Sequence, residues 1–167
     1  MNKKIERNYL EINFLEDLKE TYDFSEKYSV ILVDPIDFQL NKFFYKNIGK
    51  KHHWIDRLIW TEKQWIQYVS NKNVKTYVLK NLNNFAGYFE LNLHPEKNEV
   101  EIAYLGLLEE YQNKKLGSYL LSNAIKTSFL NKPKRVWVHT CSLDHKNALN
   151  NYIARGMKIF KKETITI

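Results

Sequence analysis

The sequence predicts an α/β fold of the α+β kind, in which a mixed, mostly antiparallel central sheet carries helices on its faces. Residues 74–107 contain three strand-like segments joined by short turns, which is typical of an antiparallel meander. A helix-like segment and then a strand-like segment at 136–141 follow. Strand–helix–strand order predicts a right-handed parallel crossover, so the sheet should contain both strand directions.

The N-terminal part of the chain predicts two strands and two helices. Residues 9–12 and 29–33 read as strands. Thr61 followed three residues later by Gln64 matches a capping box, which predicts a helix through about Val69. The remaining elements predicted here are a helix at 38–46 ended by Gly49, and a turn with a short helix at 52–60.

Within the meander, strands are predicted at 74–80, 85–94 and 99–107. Alternation in the last strand should place Val100, Ile102 and Tyr104 on one face and Glu99, Glu101 and Ala103 on the other. A helix should begin near Lys114 and end before 131–133, because apolar residues recur there at helical spacing. The last predicted elements are a helix at 146–155 capped by Asp144, a left-handed Gly156 and a strand or hairpin arm at 157–167.

Length and composition favour one domain over residues 1–167. No run of 18 apolar residues and no apolar leader is present, so we expect neither a membrane span nor a secretory signal. The single cysteine, Cys141, cannot form an intrachain disulfide or a thiolate metal cluster, and a cytoplasmic location is the default expectation. His52 and His53 are adjacent and poorly placed as a metal pair, so no metal site is predicted.

The formal net charge of +7 favours polyanionic ligands, of which nucleic acid and a phosphorylated cofactor are two. Simple solubility explains such a charge equally well. The positive residues are scattered and form no long basic tail, which argues against a nucleic-acid-binding arm.

The segment with the clearest chemical meaning is the strand, loop and helix over residues 99–121. A strand that enters a helix N-terminus through a short loop leaves backbone N–H groups unpaired, and these groups and the helix dipole favour a phosphate. Lys114 and Lys115 add positive charge, and Gly117 lets the first turn approach a ligand closely. The pattern therefore predicts a candidate pyrophosphate cradle.

Two motifs in this region resemble those of the GNAT (GCN5-related N-acetyltransferase) superfamily. Residues 112–117, QNKKLG, resemble the acetyl-CoA motif Q/R-x-x-G-x-G/A, and Tyr152 with Gly156 and Met157 resembles the late Tyr-x-x-x-Gly-Phe pattern. Residues 53–161 are similar to a GNAT subgroup of unassigned substrate. The resemblance implies a three-layer α/β/α fold and transfer of an acetyl group from acetyl-CoA to an amine.

The resemblance also implies a set of CoA contacts. They fall on the strand end, the loop and the two helix starts: Leu105, Leu107, Leu108, Gln112, Asn113, Lys114, Lys115, Leu116, Gly117, Ser118, His145 and Asn147. Three positions depart from the pattern. Lys115 replaces the first motif glycine, Met157 replaces phenylalanine, and His145 stands where many relatives have an asparagine that contacts CoA, with Asn147 two residues on.

By the same resemblance, Tyr152 is the candidate general acid, and backbone N–H groups near Leu107 and Leu108 would polarise the thioester carbonyl. Glu101 and Glu90 are the candidate general bases, since a partly buried carboxylate on this face would have a raised pKa. A water relay could replace either carboxylate, and both could instead attract a cationic amine.

Several side chains near these motifs have plain structural interpretations. His139 reads as a hydrogen-bonded structural histidine, Cys141 as a small buried hydrophobe, and the tryptophans at 54, 60 and 65 as core that could also line an acceptor pocket. Two other functions stay open, namely a non-catalytic acyl-CoA-binding domain, favoured by Lys115, and a basic nucleic-acid-binding protein. The acceptor is not identified by the sequence, and dimers are common among GNAT relatives.

Overall fold

A computed structural model describes residues 2–21 and 25–167. The strands in these residues are β1 (Lys4–Ile12), β2 (Tyr28–Leu32), β3 (Val74–Asn81), β4 (Asn84–His94), β5 (Glu99–Leu107), β6 (Arg135–Cys141) and β7 (Lys158–Thr166). The α-helices are α1 (Phe38–Gly49), α2 (Glu62–Val69), α3 (Leu116–Phe129) and α4 (Ala148–Ala154). Short 3₁₀ turns occupy Leu15–Asp17 and Glu109–Tyr111.

All seven strands form one sheet in the order β2-β3-β4-β5-β6-β1-β7. The β5–β6 pair is parallel, and the other five neighbouring pairs are antiparallel. The predicted mixed, mostly antiparallel sheet is therefore confirmed. The parallel pair arises because α3 connects β5 to β6, as the strand–helix–strand pattern indicated.

Helices cover both faces of the sheet. On one face α3 buries Leu116, Leu120, Leu121 and Ile125 against Val100 and Val138 and their neighbours, in a core that also includes Tyr152 of α4. On the other face α1 buries Phe44 and Ile48 against Val78 and Tyr88. The two cores make three layers, which confirms the α/β prediction. Among the described residues, no helix combines the length and the apolar character needed to cross a membrane.

The capping box at the start of α2 is present as predicted. The Thr61 hydroxyl accepts from the Gln64 N–H at 3.2 Å, and the Gln64 side chain accepts from the Thr61 N–H at 2.8 Å. These two bonds satisfy donors that the helix start would otherwise leave unpaired. The helix therefore begins where the sequence pattern places it.

Two local predictions are wrong, and the first strand is longer than predicted. Residues 52–60 contain turns and no helix, although the region is dense in aromatic side chains. The N-cap of α4 is Asn147, without a side-chain capping bond, because the Asp144 carboxylate accepts from the Thr140 hydroxyl and from the Cys141 N–H instead. β1 begins at Lys4, five residues before the predicted strand start at Tyr9, because its first half pairs with β7.

A β-bulge in β5 overturns the predicted alternation. Glu90 pairs with Tyr104 and Leu91 pairs with Ile102, so Ala103 has no partner in β4. Beyond the bulge the side chains change faces. Ile102 packs in the α3 core, whereas Tyr104 packs with the α1 core. The bulge lies where β5 begins to leave β6, since the last β5–β6 pair is Glu101 with Trp137.

The end of α4 is fixed by a Schellman motif. The Gly156 N–H donates to the Ile153 carbonyl at 3.0 Å, and the Met157 N–H donates to the Tyr152 carbonyl at 3.1 Å. Gly156 has φ of +104°, and a Cβ there would overlap the backbone carbonyl of Asp17. The predicted left-handed glycine is confirmed.

Replacing Gly156 with alanine should therefore destabilise the protein by about 2 kcal/mol or more, through strain at positive φ and the clash with Asp17. Chemical denaturation of the purified variant measures this change. Gly117→Ala is the matched control, because a Cβ there meets only Asn151 Nδ2, at 3.6 Å. Equal stabilities of the two variants would contradict the assignment.

Candidate active site

A cavity of about 740 Å³ opens where β5 and β6 separate. Its lining comes from the free edge of β5, the loop before α3, the start of α4 and the turn segment at 52–57. β1 and β6 add Arg7, His139 and Cys141. Because β5 and β6 stop pairing after Glu101, backbone groups of residues 102–107 on that side face the cavity and not a neighbouring strand.

The loop before α3 has an unusual backbone that ends in a free helix N-terminus. Asn113 has φ of 60° and Lys115 has φ of 62°, both left-handed. Lys115 is the N-cap of α3, and no side chain caps the helix. The first N–H groups of α3 therefore lack side-chain acceptors, and the helix dipole makes this end attractive to an anion. The helix starts at Leu116, two residues after the predicted position.

Lys115, which stands at the position of the first motif glycine, has a left-handed backbone conformation. Glycine adopts this conformation freely, whereas a residue with a side chain does so at an expense of about 1 kcal/mol or more. Lys115 nevertheless adopts it, with φ of 62° and ψ of 10°, so the backbone turn that the motif glycine would allow is preserved. Lys115 also lines the cavity.

Most of the predicted CoA-contacting residues meet at this cavity. Nine of them line it: Leu105, Leu107, Gln112, Asn113, Lys115, Gly117, Ser118, His145 and Asn147. Gln112 Nε2 donates to the Leu107 carbonyl at 3.3 Å, which ties the loop to the end of β5.

Three predicted contact residues lie elsewhere. Leu108 and Leu116 are buried, and the Leu108 N–H donates to the Ala86 carbonyl at 2.8 Å, so it is already engaged. The Lys114 ammonium lies 5.7 Å from the centre of the Tyr111 ring, away from the lining.

Tyr152 on α4 faces the cavity from the α3 side of the sheet. The residue is 7% exposed and lines the cavity. Burial and the nearby Asp144 carboxylate both raise the pKa of Tyr152 well above its usual value. The phenol therefore stays protonated at neutral pH and can donate a proton within the cavity.

Glu101 lies on the opposite side of the cavity from α3. Its carboxylate lies 3.2 Å from His94 Nε2, and its side chain is 16% exposed. His94 also contacts Glu96 and stacks near Trp137. Glu101 is thus a carboxylate that faces the cavity and is connected to an imidazole, an arrangement suited to accepting a proton or attracting a cation.

Glu90 occupies a closed site and not the cavity surface. Its side chain is fully buried, and both carboxylate oxygens accept from Arg57 Nη1, at 3.0 and 3.2 Å. Asn41 Nδ2 donates to the second oxygen at 3.0 Å and lies 2.8 Å from the Thr76 hydroxyl. These bonds leave Glu90 as the counter-ion of Arg57.

Aromatic rings enclose the Arg57 guanidinium. The ring centres within 6 Å belong to Tyr45, Trp60, Trp65, Tyr68 and Tyr104, the nearest at 4.1 Å. The Arg57 N–H also donates to the Tyr45 hydroxyl at 3.1 Å. Arg57 thereby attaches the turn segment at 52–60 to α1, α2 and the sheet.

The three tryptophans have different positions. Trp65 is 1% exposed and belongs to the core, Trp60 packs against it, and Trp54 lines the cavity. His139 also lines the cavity and packs against Tyr9, and Cys141 is a partly exposed lining residue.

Several lining residues carry no motif by which the sequence could identify them. They are Arg7, His52, Asp56, Asn92 and Asn151. Arg7 comes closest to a detectable signal, since it is a cation on a strand, but its strand was predicted to begin after it. The other four are brought to the cavity by long-range packing that local patterns do not encode.

A family model described as the acetyltransferase (GNAT) family matches residues 38–157 of the chain. The match covers α1 to α4 and all the strands between them, including the loop before α3 and the start of α4. No curated protein gives a significant match to the chain.

Solved structures with the same fold support this match at low sequence identity. A GCN5-related N-acetyltransferase from Sphaerobacter thermophilus has a TM-score of 0.74 and 11% identity, over 99% of this chain and 52% of that one. A functionally unknown conserved protein from Staphylococcus epidermidis has a TM-score of 0.67 and 15% identity, over 99% and 62%.

Spermidine N-acetyltransferase from Vibrio cholerae, in complex with CoA and spermine, has a TM-score of 0.64 and 14% identity, over 85% of this chain and 96% of that one. The chain thus spans only about half to two thirds of the first two structures but nearly the whole of the third. At these identities the likeness concerns the fold.

Replacing Glu90 with glutamine should destabilise the protein by about 3 kcal/mol or more, because it leaves the buried Arg57 charge without a counter-ion. Denaturant unfolding is the measurement. Glu101→Gln is the matched control, since Glu101 is partly exposed and contacts a histidine. If Glu90→Gln unfolds no more easily than Glu101→Gln, the buried ion pair does not have the role assigned to it.

Lys115→Gly should be more stable than Lys115→Ala by about 1 kcal/mol. Both substitutions remove the charged side chain, but only glycine relieves the left-handed backbone at this position. Thermal or urea unfolding of the two variants measures the difference. A more stable alanine variant would show that the loop does not hold Lys115 in that conformation.

Proposed function

The chain belongs to the acetyltransferase (GNAT) family, and from that premise we propose that it transfers an acetyl group from acetyl-CoA to the primary amine of an acceptor, within a ternary complex. The observation that carries the proposal is the cavity between β5 and β6, which has a free helix N-terminus at one end and Tyr152 and Glu101 on its walls. A phosphorylated thioester and an amine can meet in such a cavity.

The loop before α3 would hold the pyrophosphate of CoA. The N–H groups of Gly117 and Ser118 lie in the first turn of α3, where an anion is favoured, and Lys115 adds positive charge. The pantetheine arm would run along the free edge of β5 at 105–107, where the backbone groups that point away from β4 have no strand partner. Asn147 and Asn151 supply amide groups on the α4 side.

The transfer requires one bond to form and one to break. The neutral amine nitrogen attacks the thioester carbon, a C–N bond forms, and the C–S bond breaks as CoA leaves as a thiolate. The proton lost by the amine passes to Glu101, directly or through water, and the Tyr152 phenol supplies a proton to the thiolate sulfur. The free β5 edge supplies backbone N–H groups for the developing oxyanion.

The alternative function is a non-catalytic domain that binds acyl-CoA at this site but does not transfer the acyl group. Lys115 in place of the motif glycine favours it, but Lys115 has a left-handed backbone conformation of the kind that glycine adopts freely. The presence of Tyr152 and Glu101 on the same cavity favours the enzyme.

Tyr152→Phe should reduce kcat by about 10²- to 10⁴-fold and leave the affinity for acetyl-CoA unchanged, because it removes a proton donor and keeps the buried ring. Thiol release from acetyl-CoA with a panel of amines measures turnover, and calorimetry measures the affinity. Acetyl-CoA binding by the wild type without thiol release for any amine would instead support the non-catalytic function.

The pH profile should show no loss of kcat on the alkaline side up to about pH 10. Burial raises the pKa of Tyr152, so the proton donor stays protonated through that range, while higher pH favours the neutral amine. The profile is measured with the preferred amine at saturating acetyl-CoA. An alkaline fall near pH 8 that disappears in Tyr152→Phe would contradict the raised pKa of Tyr152, and a fall that persists in Tyr152→Phe would assign the titration to another group.

A further inference from the structure

Arg7 lines the cavity from β1 and has no part in the steps above. It lies on β1 opposite Cys141 of β6, two residues before Tyr9, which lies opposite His139. Alternation along β1 places Arg7 and Tyr9 on the same face of the sheet. Arg7 therefore lies beside the end of β6 where β5 and β6 have separated, with β6 between Arg7 and the free edge of β5.

The guanidinium of Arg7 is only partly satisfied by its neighbours. Its Nη1 lies 3.5 Å from a Glu163 carboxylate oxygen, which also accepts from the Tyr9 hydroxyl at 2.6 Å. The second Glu163 oxygen lies 3.4 Å from the Lys161 ammonium. Arg7 Nε is buried and has no hydrogen-bond partner among the described residues. The Arg7 side chain is 31% exposed, so the rest of the guanidinium is accessible to a ligand in the cavity.

The other two permanent positive charges on the cavity wall are already assigned. Arg57 is held by Glu90, and Lys115 belongs to the loop that would receive the pyrophosphate. Desolvation and the positive charge of Arg7 lower the pKa of His139, so its imidazole is neutral near pH 7. Arg7 thus provides a permanent positive charge near the position of the acceptor, while Glu101 provides a negative one.

We propose that the acceptor amine also carries an oxyanion, either a carboxylate or a phosphate, and that Arg7 binds this group. The proposal rests on the proposed acetyl transfer and specifies its acceptor. A guanidinium binds planar oxyanions through several N–H groups, and the exposed part of the Arg7 side chain would supply such contacts in the cavity. A polyamine would instead place a second positive charge beside Arg7, which is unfavourable.

Paired acceptors test the proposal by kinetics. Amino acids and dipeptides are compared with their carboxamides, and aminoalkyl phosphates are compared with the matching amino alcohols. The oxyanion member of the preferred pair should have the higher kcat/KM, by roughly 10- to 100-fold. Arg7→Gln should remove this preference through KM. Equal use of both members, or a preference for polyamines, would overturn the proposal. The carboxylate and phosphate arms identify the source of the oxyanion.

Three further variants make the kinetic result specific to Arg7. Arg7→Lys should keep part of the preference that Arg7→Gln loses, because lysine retains the positive charge but lacks the planar set of guanidinium N–H donors. Glu163→Gln should lower KM for the oxyanion acceptor, since it removes the carboxylate that competes for Arg7. Lys4→Gln, on the exposed start of the same strand, should change neither value. An unchanged KM in both Arg7→Gln and Glu163→Gln would contradict the assignment.

A binding experiment separates this proposal from the proposed activity. N-acetylated amino acids, as product-like probes, are titrated into the CoA-saturated protein by calorimetry, with their carboxamides as controls. The carboxylate probes should bind to the wild type and bind at least about tenfold more weakly to Arg7→Gln. Binding that depends on Arg7 would support the proposal even if no amine were turned over. Equal binding of acids and amides would overturn it.

Discussion

The early end of the β5–β6 pairing is the constraint on which the candidate site depends. These parallel strands pair only from Glu99 to Glu101, and the β-bulge at Ala103 turns the rest of β5 away. An open sheet edge inside a protein leaves backbone groups unpaired, which is unfavourable unless something else satisfies them. A ligand with amide groups along its length, such as the pantetheine arm of CoA, is suited to that edge. The same separation lets Tyr152 and Glu101 face one cavity from opposite sides of the sheet.

The cavity wall formed by the turn segment at 52–57 depends on a second interaction, the buried ion pair between Arg57 and Glu90. Residues 52–60 contain no helix or strand, and yet they provide His52, Trp54 and Asp56 to the cavity. A segment of this kind needs tertiary contacts to hold one conformation. The hydrogen bonds from Arg57 Nη1 to both Glu90 oxygens and the surrounding aromatic rings supply them. Glu90 therefore affects the cavity only indirectly, by holding Arg57 and the turn segment in place. Its carboxylate is engaged in those hydrogen bonds.

Local patterns predicted the parts of the molecule that local chemistry determines. The capping box at Thr61, the glycine after α4 and the loop before α3 each depend on a few neighbouring residues, and each is present. The bulge at Ala103 and the position of Arg7 depend on strand pairing across the sheet. Strict alternation therefore placed Tyr104 on the wrong face, and Arg7 received no role, because its neighbours on β6 and β7 lie more than 100 residues away.

The measurement that tests this account most directly is calorimetric titration of the protein with acetyl-CoA, with desulfo-CoA and ATP as comparisons. If the gap between β5 and β6 receives the pantetheine arm while the start of α3 receives the pyrophosphate, acetyl-CoA should bind saturably with one site per chain. Desulfo-CoA should bind comparably, because it keeps both groups, and ATP should bind much more weakly. No saturable binding of acetyl-CoA at millimolar concentration would contradict the assignment of this cavity as a cofactor site.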